Sequence, residues 1–264
     1  MYEALYAPIP DVNAYLDRLG LTAPLPVSLE TLDQVLLAHQ CRIPFENLQC
    51  FEEHQEPSLE IPALFDKIIV RGRGGFCFEL NALLEALLQT LGFDAWSVTC
   101  RIVRGKDFIP PMLHRGVLVQ LDGQQYYCDV GYGGPQPSFA VPLDGRREKN
   151  GEVFWGESLG NGWYAVSRLT SQDVTERVFE FLDQRQPASY FVPYSFYCAR
   201  HPDSLFAQHR IINLRTKTGS LALTDDTLTE RDGDAVTEVR ADNKQALSDL
   251  LLRRFGIHYT FESV

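Results

Sequence analysis

The sequence predicts an α+β protein laid out in three consecutive stretches. Three observations carry that reading. Apolar residues repeat at helical spacing over 1–92, short alternating segments with tight turns fill 93–186, and both patterns mix over 187–264. Short strands joined by tight turns pack naturally as an antiparallel barrel or sandwich. No internal repeat, low-complexity tract or long linker separates the stretches, so the boundaries are expected to be packed junctions.

In the first stretch, Asp11 follows Pro10 and is placed to cap a short helix. Its apolar face is Val12, Tyr15, Leu16 and Leu19, and Gly20 ends it. Ser28 caps a second helix with Leu29, Leu32, Val35 and Leu36 at spacings of three and four. Ser58 begins a third, with Leu64, Phe65, Ile68 and Ile69 as its buried stripe. The strongest signal is the fourth: Leu80, Leu83, Leu84, Leu87, Leu88 and Leu91 repeat helically until Gly92.

In the middle stretch, Trp96, Val98, Cys100 and Ile102 alternate with polar or small residues. His114 opens RGVLVQL, then come Asp122-Gly123 and QQYYCDV, a strong hairpin signal. EVFWGES and GWYAVSRL bracket an Asn-Gly turn. The last stretch predicts a helix near 187–199, strands in RIINLRT, SLALTDD and VTEVRA, and a final helix capped by Asp242 that runs through Leu247, Leu250, Leu251 and Leu252 to Gly256.

Composition narrows the function. The 264 residues carry 24 Lys and Arg against 35 Asp and Glu, a net charge of −11. That balance argues against a nucleic-acid or anionic-membrane binder, which needs a basic face. No apolar run reaches the roughly 18–20 residues of a spanning helix, and the first residues lack the basic region of a secretory signal. Six Cys without a C-x-x-C pair do not form a disulfide scaffold. A cytoplasmic protein with reduced thiols is the expectation.

The densest cluster of unusual residues is RGRGGFCFELN, 71–81. It places Cys77 in the first turn of the Leu-rich helix. Unpaired backbone N–H groups and the helix dipole favour a thiolate there. A nucleophilic Cys needs a base, and the base needs an orienting acceptor. His114 stands at the mouth of a strand, and the Asp122-Gly123 hairpin returns Asp129 alongside it. Asp129 is then placed to accept from the imidazole Nδ1–H. The other Cys lack a Gly-rich approach: Cys100 and Cys128 lie in strands, Cys41 and Cys50 flank a loop, and Cys198 ends a helix. No metal is expected, because neither His39 with Cys41 nor Cys50 with His54 has structural-zinc spacing. RGRGG and GYGG do not follow a strand in a βαβ context, which argues against a dinucleotide site.

These residues resemble the arylamine N-acetyltransferases. The family's Arg-Gly-Gly-aromatic-Cys-aromatic-Glu-x-Asn segment stands here as Arg73 to Asn81. IPFENL follows His39 as Ile43 to Leu48, a DVGFGG-like run is Asp129 to Gly134, and HPDSLF is His201 to Phe206. The resemblance spans about residues 11–210. It implies an N-terminal helical bundle, a central antiparallel β-barrel and a C-terminal α/β lid around a cysteine-protease-like Cys-His-Asp core. It further implies that Cys77 becomes an acetyl thioester by attack on acetyl-CoA, the acyl donor. His114 would activate the thiol, Asp129 would hold His114, and the acceptor would be a small aromatic amine or hydrazine. Phe45 and Tyr132 match positions lining the aryl pocket, with Tyr132 where Phe often stands. Arg18, Glu46 and Arg73 match a charged cluster, with Glu46 expected to be scaffold. The charged run DGRREKNGE matches no family pattern and reads as a loop.

The same triad would serve an amide synthase of this fold, a cysteine hydrolase or a transglutaminase-like enzyme. A non-enzymatic binding protein would leave Cys77 inert. Because CoA is itself an anion, the acidic chain is expected to hold a locally basic cleft.

Overall fold

In the computed structural model, which describes residues 2–261, local capping sets the first elements. The Asp11 carboxylate accepts from the Ala14 N–H at 3.0 Å and caps α1 (Val12–Leu19); Gly20 ends it in the left-handed conformation. Ser28 caps α2 (Leu29–Arg42) through the Thr31 N–H. A two-residue strand, β1 (Phe45–Glu46), and a single turn, α3 (Leu48–Phe51), follow. Helix α4 (Ile61–Leu64) continues as a π-helical segment, Phe65–Val70. It starts three residues later than expected: the Ser58 hydroxyl accepts from Glu60 N–H, and Glu60 is the capping position, with Pro62 in the first turn. Helix α5 (Cys77–Thr90) carries the leucine stripe and is buried along most of its length.

The barrel is one antiparallel sheet of eight strands. These are β2 (Asp94–Ile102), β3 (His114–Leu121), β4 (Gln124–Cys128), β5 (Val141–Pro142), β6 (Gly145–Lys149), β7 (Glu152–Gly160), β8 (Trp163–Leu169) and β9 (Thr175–Leu182). They pair in the order β5-β4-β3-β2-β9-β8-β7-β6, so only the β5 and β6 ends remain unpaired and the barrel is nearly closed. The β3–β4 turn is the expected Asp-Gly hairpin, with Asp122 and Gly123 at φ of 50° and 82°. The strand period divides β3 between two cores. Val117, Val119 and Leu121 pack with α5, while Leu118 faces the barrel interior with Trp96, Tyr127, Phe179 and Phe181.

The C-terminal part begins with α6 (Phe191–Arg200) and α7 (Leu205–Gln208). It continues through β10 (Ile211–Arg215), β11 (Gly219–Thr224), β12 (Thr227–Asp232) and β13 (Ala235–Arg240), then ends in α8 (Lys244–Leu250) with a π-helical segment to Phe255. Strand β12 was not among the expected strands; TLTERD has too little apolar alternation to announce itself. Asn243, not Asp242, caps α8 by accepting from Ala246 N–H at 2.9 Å. The lid sheet runs β1-β10-β11-β12-β13, so its first strand comes from the N-terminal stretch. Asn47 fastens that junction by donating to the Phe206 and His209 carbonyls and accepting from Ile211 N–H. No helix among the described residues is long and apolar enough to cross a membrane.

The charged run 144–152 is not a loop. It forms all of β6 and the turn into β7, anchored to α2 by a buried carboxylate. Asp33 accepts two bonds from Arg147, at 3.0 and 2.7 Å, one from Lys149 at 2.7 Å and one from Ala140 N–H at 2.9 Å. Burial pushes the Asp33 carboxyl up, but these donors outweigh it and hold it below its ordinary value. Substitution Asp33→Ala leaves the guanidinium without its counter-charge and is expected to cost about 2–3 kcal/mol in urea unfolding. The Asp33 contribution is present above about pH 4 and fades as pH falls through the depressed folded value, so the wild-type advantage should shrink in acid.

Candidate active site

Cys77 is the first residue of α5, 3 % exposed, directly beyond the glycine-rich approach. The chain turns into the helix there because Glu79, at the third helical position, reaches back and accepts from Phe76 N–H at 3.0 Å. Strand β1 runs against the approach: Glu46 N–H donates to the Gly75 carbonyl at 2.9 Å. On the far side the chain after β4 touches the Cys77 backbone. A Cβ on Gly131 would lie 2.7 Å from Cys77 Cα, so that position requires glycine.

His114 and Asp129 meet as the hairpin predicts. Pairing ends at Val117 opposite Cys128, and the chains then diverge enough for side chains to join them. His114 Nε2 lies 2.6 Å from Asp129 Oδ2, and both residues are buried. The nitrogen differs from the sequence expectation: Asp129 takes Nε2–H, not Nδ1–H. Nδ1 is therefore the nitrogen left to face Cys77, whose thiol is pulled down by the neighbouring His114. The His114 ring stacks on Phe179 at 5.2 Å and 13°, which fixes its plane.

Asp129 has three further donors. Tyr127 Oη donates to Oδ2 at 2.8 Å, Asn81 Nδ2 to Oδ1 at 2.9 Å, and Gly131 N–H to Oδ1 at 2.8 Å. Asn81 also donates to the Arg115 carbonyl and accepts from Val130 N–H. Sequence reasoning gave Asn81 and Tyr127 no role. Asn81 lies four residues after Cys77, on the same helix face, and that spacing was the available signal.

Burial lowers a histidine pKa, but the Asp129 charge and its hydrogen bond outweigh burial, and His114 is raised to about 10. Burial likewise pushes the Cys77 thiol above its ordinary value, while His114 pulls it down. The helix terminus therefore does not by itself make a low-pKa thiol; ionisation runs through proton transfer to His114. Burial also pushes up Cys41, Cys50, Cys100, Cys128 and Cys198, none with a histidine to oppose it. Cys41 and Cys50 sit in α2 and α3 rather than flanking a loop. Among the described residues, no group of three or more His, Cys, Asp or Glu could hold a metal ion.

The expected charged cluster is rearranged. Glu46 accepts from Arg73 Nε at 2.9 Å and from Leu48 N–H at 2.7 Å. Arg18 stands apart, with its guanidinium 3.4 Å from the Gly72 carbonyl. The missing member is Lys67, buried and 2.7 Å from Glu79.

Phe45 lines a cleft of about 860 Å³ between the barrel rim and the β10–β11 end of the lid. Tyr132 is not among the residues lining that cleft; its ring stands edge-on to His114 at 6.0 Å and to Phe179 at 4.9 Å. The cleft is locally basic, as anticipated. Arg104, Arg168, Arg215, Lys217 and Arg231 line it with one carboxylate, Glu152. Glu152 is 2.7 Å from Arg215, and Glu176 lies 3.0 Å from Arg104 and 2.7 Å from Arg168, which leaves Lys217 and Arg231 without an ion-pair partner among the described residues.

Most of the chain is similar to known proteins. A family model described as N-acetyltransferase matches residues 28–264. An arylamine N-acetyltransferase / N-hydroxyarylamine O-acetyltransferase of Salmonella typhimurium is 33 % identical over 254 residues, covering 93 % of this chain and 88 % of that one. A solved arylamine N-acetyltransferase structure from that organism superposes with a TM-score of 0.88 at 30 % identity, covering 96 % and 93 % of the two chains. A Mycobacterium marinum arylamine N-acetyltransferase solved in complex with CoA gives 0.85 at 25 % identity, covering 94 % and 93 %.

The His114–Asp129 pair makes a pH prediction. A folded His114 keeps its proton to about pH 10, whereas an unfolded imidazole releases it near about 6.5. The linked stability is complete below the lower value and is lost as pH rises through the upper one. Asp129→Asn removes the charge that holds the proton. In denaturant unfolding the wild-type advantage over Asp129→Asn should be larger near pH 6 than near pH 10; equal advantages at both would contradict the ion pair.

Proposed function

Because this chain belongs to the arylamine N-acetyltransferase family, and so to the acyltransferases, we propose that it carries an acetyl group from acetyl-CoA to arylamines, arylhydrazines or N-hydroxyarylamines through an acetyl thioester on Cys77. The observation that carries the reading is the Asp129 contact with His114 Nε2, which leaves Nδ1 free to serve Cys77. In the resting pair Nδ1 already holds the proton given up by Sγ, and the thiolate attacks the thioester carbonyl. Collapse of the tetrahedral adduct expels the CoA sulfur, which takes the proton from His114. After CoA leaves, the acceptor nitrogen attacks the acetyl-Cys77 carbonyl, gives its proton to Nδ1 and displaces the Cys77 sulfur. The order is ping-pong. Throughout, Asp129 keeps the ring oriented and stabilises the imidazolium without accepting its proton.

The aryl ring of the acceptor is assigned to the side of Cys77 bounded by Phe45 and Tyr132. Phe45 lies 5.7 Å from Phe206, and Tyr132 completes an aromatic corner with Phe179. The Tyr132 hydroxyl brings a polar group to that corner and biases which ring substituents fit. The basic cleft suits the phosphates of CoA, and Val130, which lines it, is next in the chain to Gly131, the residue packed on the Cys77 backbone. Six unpaired Cys fit work in a reducing cytoplasm.

Intact-mass measurement after mixing with acetyl-CoA is expected to show a gain of about 42 Da, one acetyl group, on Cys77. An arylamine or hydrazine should discharge it, and Cys77→Ala should take up none. An adduct on another Cys, or turnover by Cys77→Ala, overturns the mechanism. Removing two cleft cations together, Lys217→Ala with Arg231→Ala, is expected to raise KM for acetyl-CoA by about 5–20-fold. The rate of discharge of preformed acetyl-enzyme by the amine should stay unchanged.

A further inference from the structure

An acyl group carried by Cys77 must occupy space beside its sulfur, so the neighbours of that sulfur decide which acyl groups fit. His114 is one of them, and it serves the thiol itself. Another is the Leu113 carbonyl oxygen, 4.0 Å from Cys77 Sγ. The same oxygen lies 4.0 Å from the sulfur of Cys198. Two thiols, one from α5 and one from α6, thus converge on a single backbone atom.

Cys198 has no part in the proton chemistry: burial pushes its thiol up to about 12 and no histidine faces it. Its place follows from the face that α6 turns inward. Phe191, Ser195 and Cys198, at helical spacings of four and three, are all buried there. Phe191 packs on Phe78, the residue after the nucleophile, at 6.3 Å, and its ring lies 4.3 Å under the Arg115 guanidinium. Helix α6 therefore leans over the first turn of α5. The Ser195 hydroxyl on this face is buried without a hydrogen-bond partner.

Taking Cys77 as the acyl carrier, we propose that Cys198 is a specificity-determining residue, the wall that limits the length of the acyl chain held on Cys77. Because both sulfurs lie 4.0 Å from one backbone oxygen, an acyl chain that extends from Cys77 past that oxygen meets Cys198. Close-packed surroundings do not yield to an extra methylene, so one atom of wall is enough to discriminate. Discrimination by one methylene is worth about 10–200-fold in rate, which sets the scale of the effect.

Acylation of Cys77 followed by intact mass with acetyl-, propionyl- and butyryl-CoA tests this in wild type, Cys198→Ala, Cys198→Ser and Cys198→Val. Cys198→Ala is expected to raise the butyryl-to-acetyl rate ratio by about 10-fold or more. Cys198→Val should lower it, and the near-isosteric Cys198→Ser should keep it within about twofold of wild type. A change in packing alone would slow all three donors together and leave the ratio where it was. An unmoved ratio in Ala and Val variants that still accept acetyl overturns the proposal. Failure of wild-type Cys77 to accept any acyl group instead overturns the functional reading on which the proposal rests.

Discussion

The Asp129 carboxylate is fully buried, and four donors from three parts of the chain converge on it: His114, Tyr127, Asn81 and the Gly131 N–H. A bare carboxylate at such a site would be strongly unfavourable, and burial alone pushes its pKa up. The donors reverse the direction and keep it ionised. That solvation by the protein is also what assembles the site. Asn81 ties the carboxylate to the helix that begins at Cys77, Tyr127 to β4, and His114 to β3. The constraint that keeps a buried charge tolerable thus sets the relative positions of nucleophile and base.

A second buried network lies at the start of α5. Lys67 meets Glu79, and Arg73 meets Glu46. The two carboxylates each do local work besides, Glu79 on Phe76 N–H and Glu46 on Leu48 N–H. One holds the first turn of the nucleophile's helix and the other the turn after β1. Buried pairs of this kind contribute little net stability relative to apolar packing, but each half is costly to lose. Their alternating arrangement brings four charges beneath the Cys77 turn with no net charge. The surface follows a different logic: a chain of net charge −11 gathers five cations around one cleft, so the sign of the whole says nothing about the sign of the site.

Much of this was legible because the signals are local. Asp11, Ser28 and Gly20 act within one helical turn, and Asp122-Gly123 shapes its own hairpin. The Cys77, His114 and Asp129 juxtaposition was legible as well, since one helix terminus and one hairpin generate it. Errors arose where two local signals competed. Ser58 and Asp242 are both good capping residues, yet Glu60 and Asn243 occupy those places: Pro62 stands in the first turn of one helix, and the Asn243 side chain accepts from Ala246 N–H in the other. DGRREKNGE looked like a solvated loop because its partner, Asp33, lies more than a hundred residues away in sequence. Lys67 was invisible for a similar reason: a lysine in a helix reads as solvated until the buried Glu79 is placed beside it.

The sequence by itself determined the three-part architecture, the one thiol at a helix start and its His and Asp partners, since each depends on contacts within a turn or a hairpin. Only the tertiary structure decided which imidazole nitrogen faces Asp129, because that rests on where Phe179 and Tyr127 pin the ring and the carboxylate. It alone assembled the basic cleft from the barrel rim and the lid, and brought the Cys198 thiol beside that of Cys77. The physical reason is the same in each case. A side chain's charge and reach are written in its identity, but what it meets at 3 or 4 Å is set by packing between segments far apart in the chain.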